Sequence, residues 1–70
     1  MQEGWTYQPF LLRAARERKK FSIDKAAKLM QKAPARICEW EGGKASPSMA
    51  TLEIICNIYE VEPSFFFTRN

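Results

Sequence analysis

Apolar residues recur along this chain in four clusters with helical spacing. The first opens at Pro9 and carries Phe10, Leu11, Ala14, Ala15 and Phe21, at intervals near three and four. Proline suits the opening turn because it has no N–H to lose. The run Arg18-Lys19-Lys20 suits the other end, where cations meet the negative pole of the helix. A second, short helix is predicted from Ser22, a hydroxyl cap followed by Asp24 in the first turn, with Ile23, Ala26, Ala27, Leu29 and Met30 on its apolar face. A third begins at Pro34, points Ile37 and Trp40 inward, and stops at Gly42-Gly43, where one glycine supplies a left-handed residue. Ser48 caps a fourth, whose stripe runs through Met49, Leu52, Ile55, Cys56 and Tyr59 and is widened by Ile54 and Ile58. Glu60-Val61-Glu62-Pro63 breaks it, and Ser64 opens a last turn carrying Phe65, Phe66 and Phe67.

Residues 1–8 show no helical period and read as an N-terminal arm, with Trp5 and Tyr7 packed on the core or on a neighbour. Residues 9–70 form the domain. No strand pattern or repeat is evident. The predicted class is all-α: a small four-to-five-helix domain whose short loops keep successive helices in contact. Three consecutive phenylalanines on a helical turn point about 100° apart. At least one is expected to face outward and to seek a second copy of the chain or an attached domain.

Composition narrows the function. Seventy residues, 46% hydrophobic and 27% charged, make one folded domain. Histidine is absent, which removes Cys-His and Ser-His nucleophile pairs and the commonest metal ligand. Cys38 and Cys56 alone cannot build a four-ligand zinc site, and both read as packing residues, Cys38 the more exposed. No catalytic role, metal or cofactor is expected. No apolar run approaches the ~20 residues that span a bilayer, and the N-terminus has no signal-peptide character. A cytoplasmic protein without a membrane partner is expected.

Charge is unevenly placed. From Arg13 to Lys44 there are ten basic and four acidic side chains, a net of +6, while the remainder carries −3. That polarity suits a polyanion on one side and a protein on the other. The two short helices from Ile23 to Met30 and from Pro34 to Glu41 sharpen the reading. About three residues separate them, which forces a steep crossing with small Ala27 at the contact. This is the helix-turn-helix arrangement, which lays its second helix in the major groove of DNA.

Residues 12–67 resemble the lambda-repressor-like (Xre/Cro-type) helix-turn-helix family. The resemblance is carried by Leu12-Arg13-x-x-Arg16, Phe21-Ser22, Ala27, Met30, Ile37, Trp40-Glu41-x-Gly43-Lys44, Ser46-Pro47-Ser48, Thr51-Leu52 and Val61. It implies a structural ion pair between Arg16 and Glu41. It implies double-stranded DNA as partner, bound through Ser22 and Ile23 at the start of the second helix. Lys32, Ala33, Pro34, Ala35, Arg36 and Glu39 would form the face entering the groove, and Lys44 and Ser46 the loop against the backbone. The segments 12–18 and 59–67 are also similar to helix-turn-helix domains found in front of zinc peptidases in mobile elements.

Several positions depart from the family pattern. Ile23 stands where a phosphate-binding glutamine is usual, and Gln31 where the turn commonly has glycine. Ala33 replaces a serine or threonine cap, and Pro34 and Ala35 replace polar readers. Phosphate-positioning groups mostly remain and base-reading groups are few, so weak or narrowly based sequence selectivity is expected. The alternative is an interaction module that keeps this fold with reduced DNA reading.

Overall fold

A computed structural model describes residues 4–69. In chain order they form β1 (Trp5–Tyr7), α1 (Phe10–Arg18), α2 (Ile23–Met30), α3 (Pro34–Glu41), α4 (Met49–Tyr59), a 3-10 turn (Pro63–Phe66) and β2 (Phe67–Arg69). The first three residues of the arm read over 1–8 lie outside the described residues, as does Asn70.

Local chemistry sets the helix ends. Ser22 Oγ accepts from the Lys25 amide at 3.0 Å, and Ser48 Oγ accepts from the Thr51 amide at 3.2 Å. Each satisfies a donor that the first turn leaves without an internal partner. At the other ends the backbone turns left-handed after every helix, at Lys20, Gln31, Gly43 and Glu60, with φ of 61°, 57°, 82° and 59°. After α3 the amides of Gly43 and Lys44 then donate to the carbonyls of Trp40 and Glu39. Only here does glycine supply the conformation.

The core is a single cluster to which every helix contributes: Leu12 and Ala15 from α1, Ala26, Ala27 and Met30 from α2, Ile37 and Trp40 from α3, and Leu52, Ile55, Cys56 and Tyr59 from α4. Phe66 of the 3-10 turn closes it and is wholly buried. The closest helix pair is α2 and α3, and Ala27 of α2 is buried. The domain measures 40 × 23 × 20 Å.

Three sequence expectations need correction. The all-α class holds for the body of the domain, but residues 5–7 and 67–69 pair as an antiparallel ribbon, Trp5 opposite Arg69, Thr6 opposite Thr68 and Tyr7 opposite Phe67. Strands of three residues are too short to show alternation. Second, Phe10, Leu29, Met49 and Ile54 are exposed. In α1 the inner face runs through Leu12, Ala15 and Arg16, and Phe10 lies two residues, about 200°, away from Leu12. Third, none of the three phenylalanines is exposed. The chain leaves the 3-10 turn at Phe66 and becomes extended, which buries Phe66 and leaves Phe65 and Phe67 half-buried. Phe67 stacks edge-on against Tyr7, centroids 5.8 Å apart. The outward aromatics are instead Trp5 and Phe10, each 60% exposed.

Candidate nucleic-acid interface

The exposed surface of α3 follows from which of its residues are anchored. Ile37 and Trp40 are its two buried side chains, and both face the core. Burying a side chain of this size contributes about 1.5–3 kcal/mol, so these two fix the roll of an eight-residue helix. Everything else from Gln31 to Glu39 is then turned to solvent: Lys32, Ala33, Pro34, Ala35, Arg36, Cys38 and Glu39.

The ends of α3 are held from both sides. Gln31 takes the left-handed conformation that lets α2 stop and the chain reverse, and the Lys32 amide donates to the Ala27 carbonyl at 2.9 Å. Ala33 offers no side-chain cap, while Pro34 opens the helix with its φ already suited to it. The Arg36 amide donates to the Ala33 carbonyl at 3.0 Å.

At its far end α3 is tied to α1. Arg16 Nε donates to Glu41 Oε2 at 2.7 Å and its terminal nitrogen to Glu41 Oε1 at 3.1 Å, a two-point pairing. A third donation goes to the Phe21 carbonyl at 2.8 Å. Both side chains are nine-tenths buried. The Glu41 hydrogen bond raises the Arg16 pKa above its ordinary value, against the opposing effect of burial. The pair is a strut that sets the distance between α1 and the last turn of α3, not part of the exposed face.

Lys32, Ala33 and Arg36 line an open groove of about 470 Å³, whose other wall is Ser46, Pro47, Ser48 and Thr51. The floor is Trp40. The groove thus brings together two cations from the turn and α3 with hydroxyls from the loop and the first turn of α4. Pro34, Ala35 and Glu39 lie exposed along the same helix, and Lys44 is exposed just beyond its end. Ser22 and Ile23 do not line this groove. Ser22 is exposed at the start of α2 with its hydroxyl occupied by the Lys25 amide, and Ile23 packs against the core. Gln31, Pro47, Ser48 and Thr51 also line the groove, although the sequence marks them as turn, loop, cap and motif positions and not as DNA contacts. The Ser46-Pro47-Ser48 run was their signal, read there as loop and cap.

Arg36 Nε lies 3.8 Å from Glu39 Oε1, both partly exposed. The described residues contain no helix long and apolar enough to cross a membrane. Cys38 and Cys56 are free thiols, Cys38 exposed and Cys56 buried, and burial pushes the Cys56 thiol up from its ordinary value.

Comparison with known proteins agrees with this architecture. No curated protein matches the chain. A solved structure described as cobalt(II) HppE in complex with substrate superimposes with a TM-score of 0.79 at 22% identity. The match covers 89% of this chain and 36% of that one, so the chain spans little more than a third of HppE's length. At that identity the likeness is one of fold alone. The sequence profile of the helix-turn-helix family matches residues 12–66, from the first buried leucine of α1 to the buried phenylalanine that closes the core. The chain belongs to the lambda-repressor-like helix-turn-helix family, a family of DNA-binding regulators.

Proposed function

We propose that α3 is the recognition helix of a small transcriptional regulator and lies in the major groove of double-stranded DNA. The observation that carries this reading is the exposure of the whole stretch from Gln31 to Glu39 except its anchor Ile37, beside a groove with Lys32 and Arg36 on its rim. Arg36 has the forked donors that suit guanine O6 and N7, Ala35 a methyl that suits the thymine methyl, and Glu39 an acceptor for the cytosine amino group. Lys32, Lys44 and Ser46 contact phosphates, with the amides of Ala33 and of the α2 start at Ser22 and Ile23 as further donors. Pro34 fixes the helix start and reads nothing. Specificity therefore rests on few side chains and affinity on the backbone.

The protein acts in the cytoplasm as a homodimer. Two copies about a twofold axis place their α3 helices in successive major grooves, about 34 Å apart. An apolar hollow of about 430 Å³ lined by Trp5, Pro63, Ser64 and Phe67 is the surface best suited to the partner copy or an attached domain. It replaces the exposed phenylalanine expected of the C-terminal run.

The test is fluorescence anisotropy with a mixed-sequence duplex, starting at low salt. Binding that weakens with a logarithmic slope of about −0.9 per phosphate neutralised is expected, and absence of binding at tens of micromolar protein removes the reading. Arg36→Ala is expected to cost about 1–3 kcal/mol at a preferred site and to blunt discrimination, while Lys44→Ala weakens all sequences alike.

The same hollow favours the second reading, an interaction module with reduced DNA reading. A salt-insensitive protein complex lost on Trp5→Ser, with DNA affinity unchanged, is its signature. Phe66→Ser cannot serve there, because Phe66 is fully buried and its loss would undo the fold.

A further inference from the structure

The exposed face of α3 carries an ion pair with no evident structural task. Arg36 Nε and Glu39 Oε1 are 3.8 Å apart, their side chains 54% and 47% exposed. A pair so exposed contributes next to nothing to stability, because water screens it and both side chains lose freedom in forming it. The helix is anchored elsewhere, by Ile37, Trp40 and the Arg16–Glu41 strut. What the pair does change is the charge offered to a polyanion. Lys32 and Arg36 rim the groove and Lys44 follows the helix. A carboxylate among three cations opposes the attraction that they exert.

Resting on the DNA-binding reading above, we propose that Glu39 is the specificity filter of this interface. In complexes with the wrong sequence it keeps Arg36 engaged within the helix and repels the backbone. At the right sequence a guanine takes over the guanidinium, and a nearby cytosine amino group donates to the freed carboxylate.

The geometry suits this exchange. Residues three apart on a helix are neighbours about 5–6 Å apart at their Cβ atoms, and successive bases on one strand rise by about 3.4 Å. Both side chains can therefore reach the edges of adjacent base pairs. Where neither base matches, two penalties remain. Arg36 either stays paired and gives up its DNA contact, or leaves Glu39 facing DNA without a donor. Discrimination of this kind comes from penalising wrong partners more than from rewarding the right one. It also gives a helix with few reading groups a means of rejecting generic DNA, against which its cations alone make no distinction.

The experiment compares the full chain with its Glu39→Gln variant, which keeps shape and acceptor but removes the charge. Each is titrated by anisotropy into two duplexes, one selected from a random pool by the unaltered protein and one of mixed sequence, at several salt concentrations. The filter requires that Glu39→Gln tighten mixed-sequence binding by about 3–10-fold and shrink the ratio between the duplexes by about tenfold, one bidentate contact's worth of discrimination. In an Arg36→Ala background the same change still tightens mixed-sequence binding, but it shifts the ratio less than it does beside Arg36, since coupled residues are not additive. Glu53→Gln makes the same change of charge on α4, beside Asn57 and Glu62 and off the groove, and leaves the ratio where it was. An unaltered ratio in Glu39→Gln, or parallel loss at both duplexes, overturns the filter alone, as does an unaltered protein that binds without discriminating. Failure of the unaltered protein to bind either duplex overturns the DNA reading and the filter with it.

Discussion

Arg16 shows how much one side chain can organise. It is the buried charged residue of the core, and its guanidinium makes three donations: two to Glu41 and one to the Phe21 carbonyl. A buried pair need not be more stable than an apolar substitute, yet removing one partner strands the other. Arg16→Met is therefore expected to lower unfolding free energy by about 3–5 kcal/mol, read as a fall in the urea midpoint. Arg16→Met combined with Glu41→Leu should recover much of that loss, because no carboxylate then remains without a partner. The two residue types and their family spacing were readable in the sequence. The third acceptor was not, since it depends on the chain folding Phe21 back beneath α1. Lys32 and Arg36 were likewise readable as exposed, because Ile37 and Trp40 define the inner side of α3. The opposite wall of the groove, Pro47, Ser48 and Thr51, depends on how the loop before α4 returns across the surface.

The helices were legible as elements because three-to-four spacing, two serine caps and a pair of glycines all mark the same boundaries. Their endings were less so. Four left-handed residues close the four helices, and three of them are Lys20, Gln31 and Glu60. A side chain with a Cβ pays about 1 kcal/mol for that conformation relative to glycine. Gln31 matters most, since it sets the angle between α2 and α3. Gln31→Gly should stabilise the domain by about 0.5–1 kcal/mol. A domain of this size should then melt about 2–8 °C higher, measured by circular dichroism. Ala27, the small residue that the sequence assigns to the crossing, is buried. The strands were not legible, and their partner positions lie some sixty residues apart, as the Gln8–Thr68 side-chain bond illustrates.

For the molecule as a whole, one core holds everything, so a perturbation of its centre is felt throughout. Tyr59 is 1% exposed at the heart of that core. Burial pushes its hydroxyl from 10.0 up to about 12, with the Glu41 carboxylate adding to the rise and Arg16 opposing it. Above pH 10 the unfolded chain gives up this proton while the folded chain keeps it, so the unfolded state binds fewer protons and stability falls as pH rises. Between pH 10 and 12 this amounts to about 2–3 kcal/mol, at about 1.4 kcal/mol per pH unit. Urea titrations across that window should show the midpoint dropping, and Tyr59→Phe should remove part of the drop, leaving the part due to Tyr7, whose hydroxyl burial also pushes up to about 12. The charge layout is also a property at this scale. Lys32 and Arg36 rim the groove, while on another part of the surface the charges mix: Lys19 pairs with Glu60 at 3.1 Å, and Arg18 shares a hollow with Glu60 and Glu62.

The ribbon has a mechanical consequence. Because β1 and β2 run antiparallel with Trp5 opposite Arg69, the two strands leave the domain side by side at the same end. Tension applied to both would meet the rungs one after another, as in a zipper, instead of loading them together in shear. The domain therefore offers little resistance to being peeled open from that end, and the four helices lose their clasp at small force.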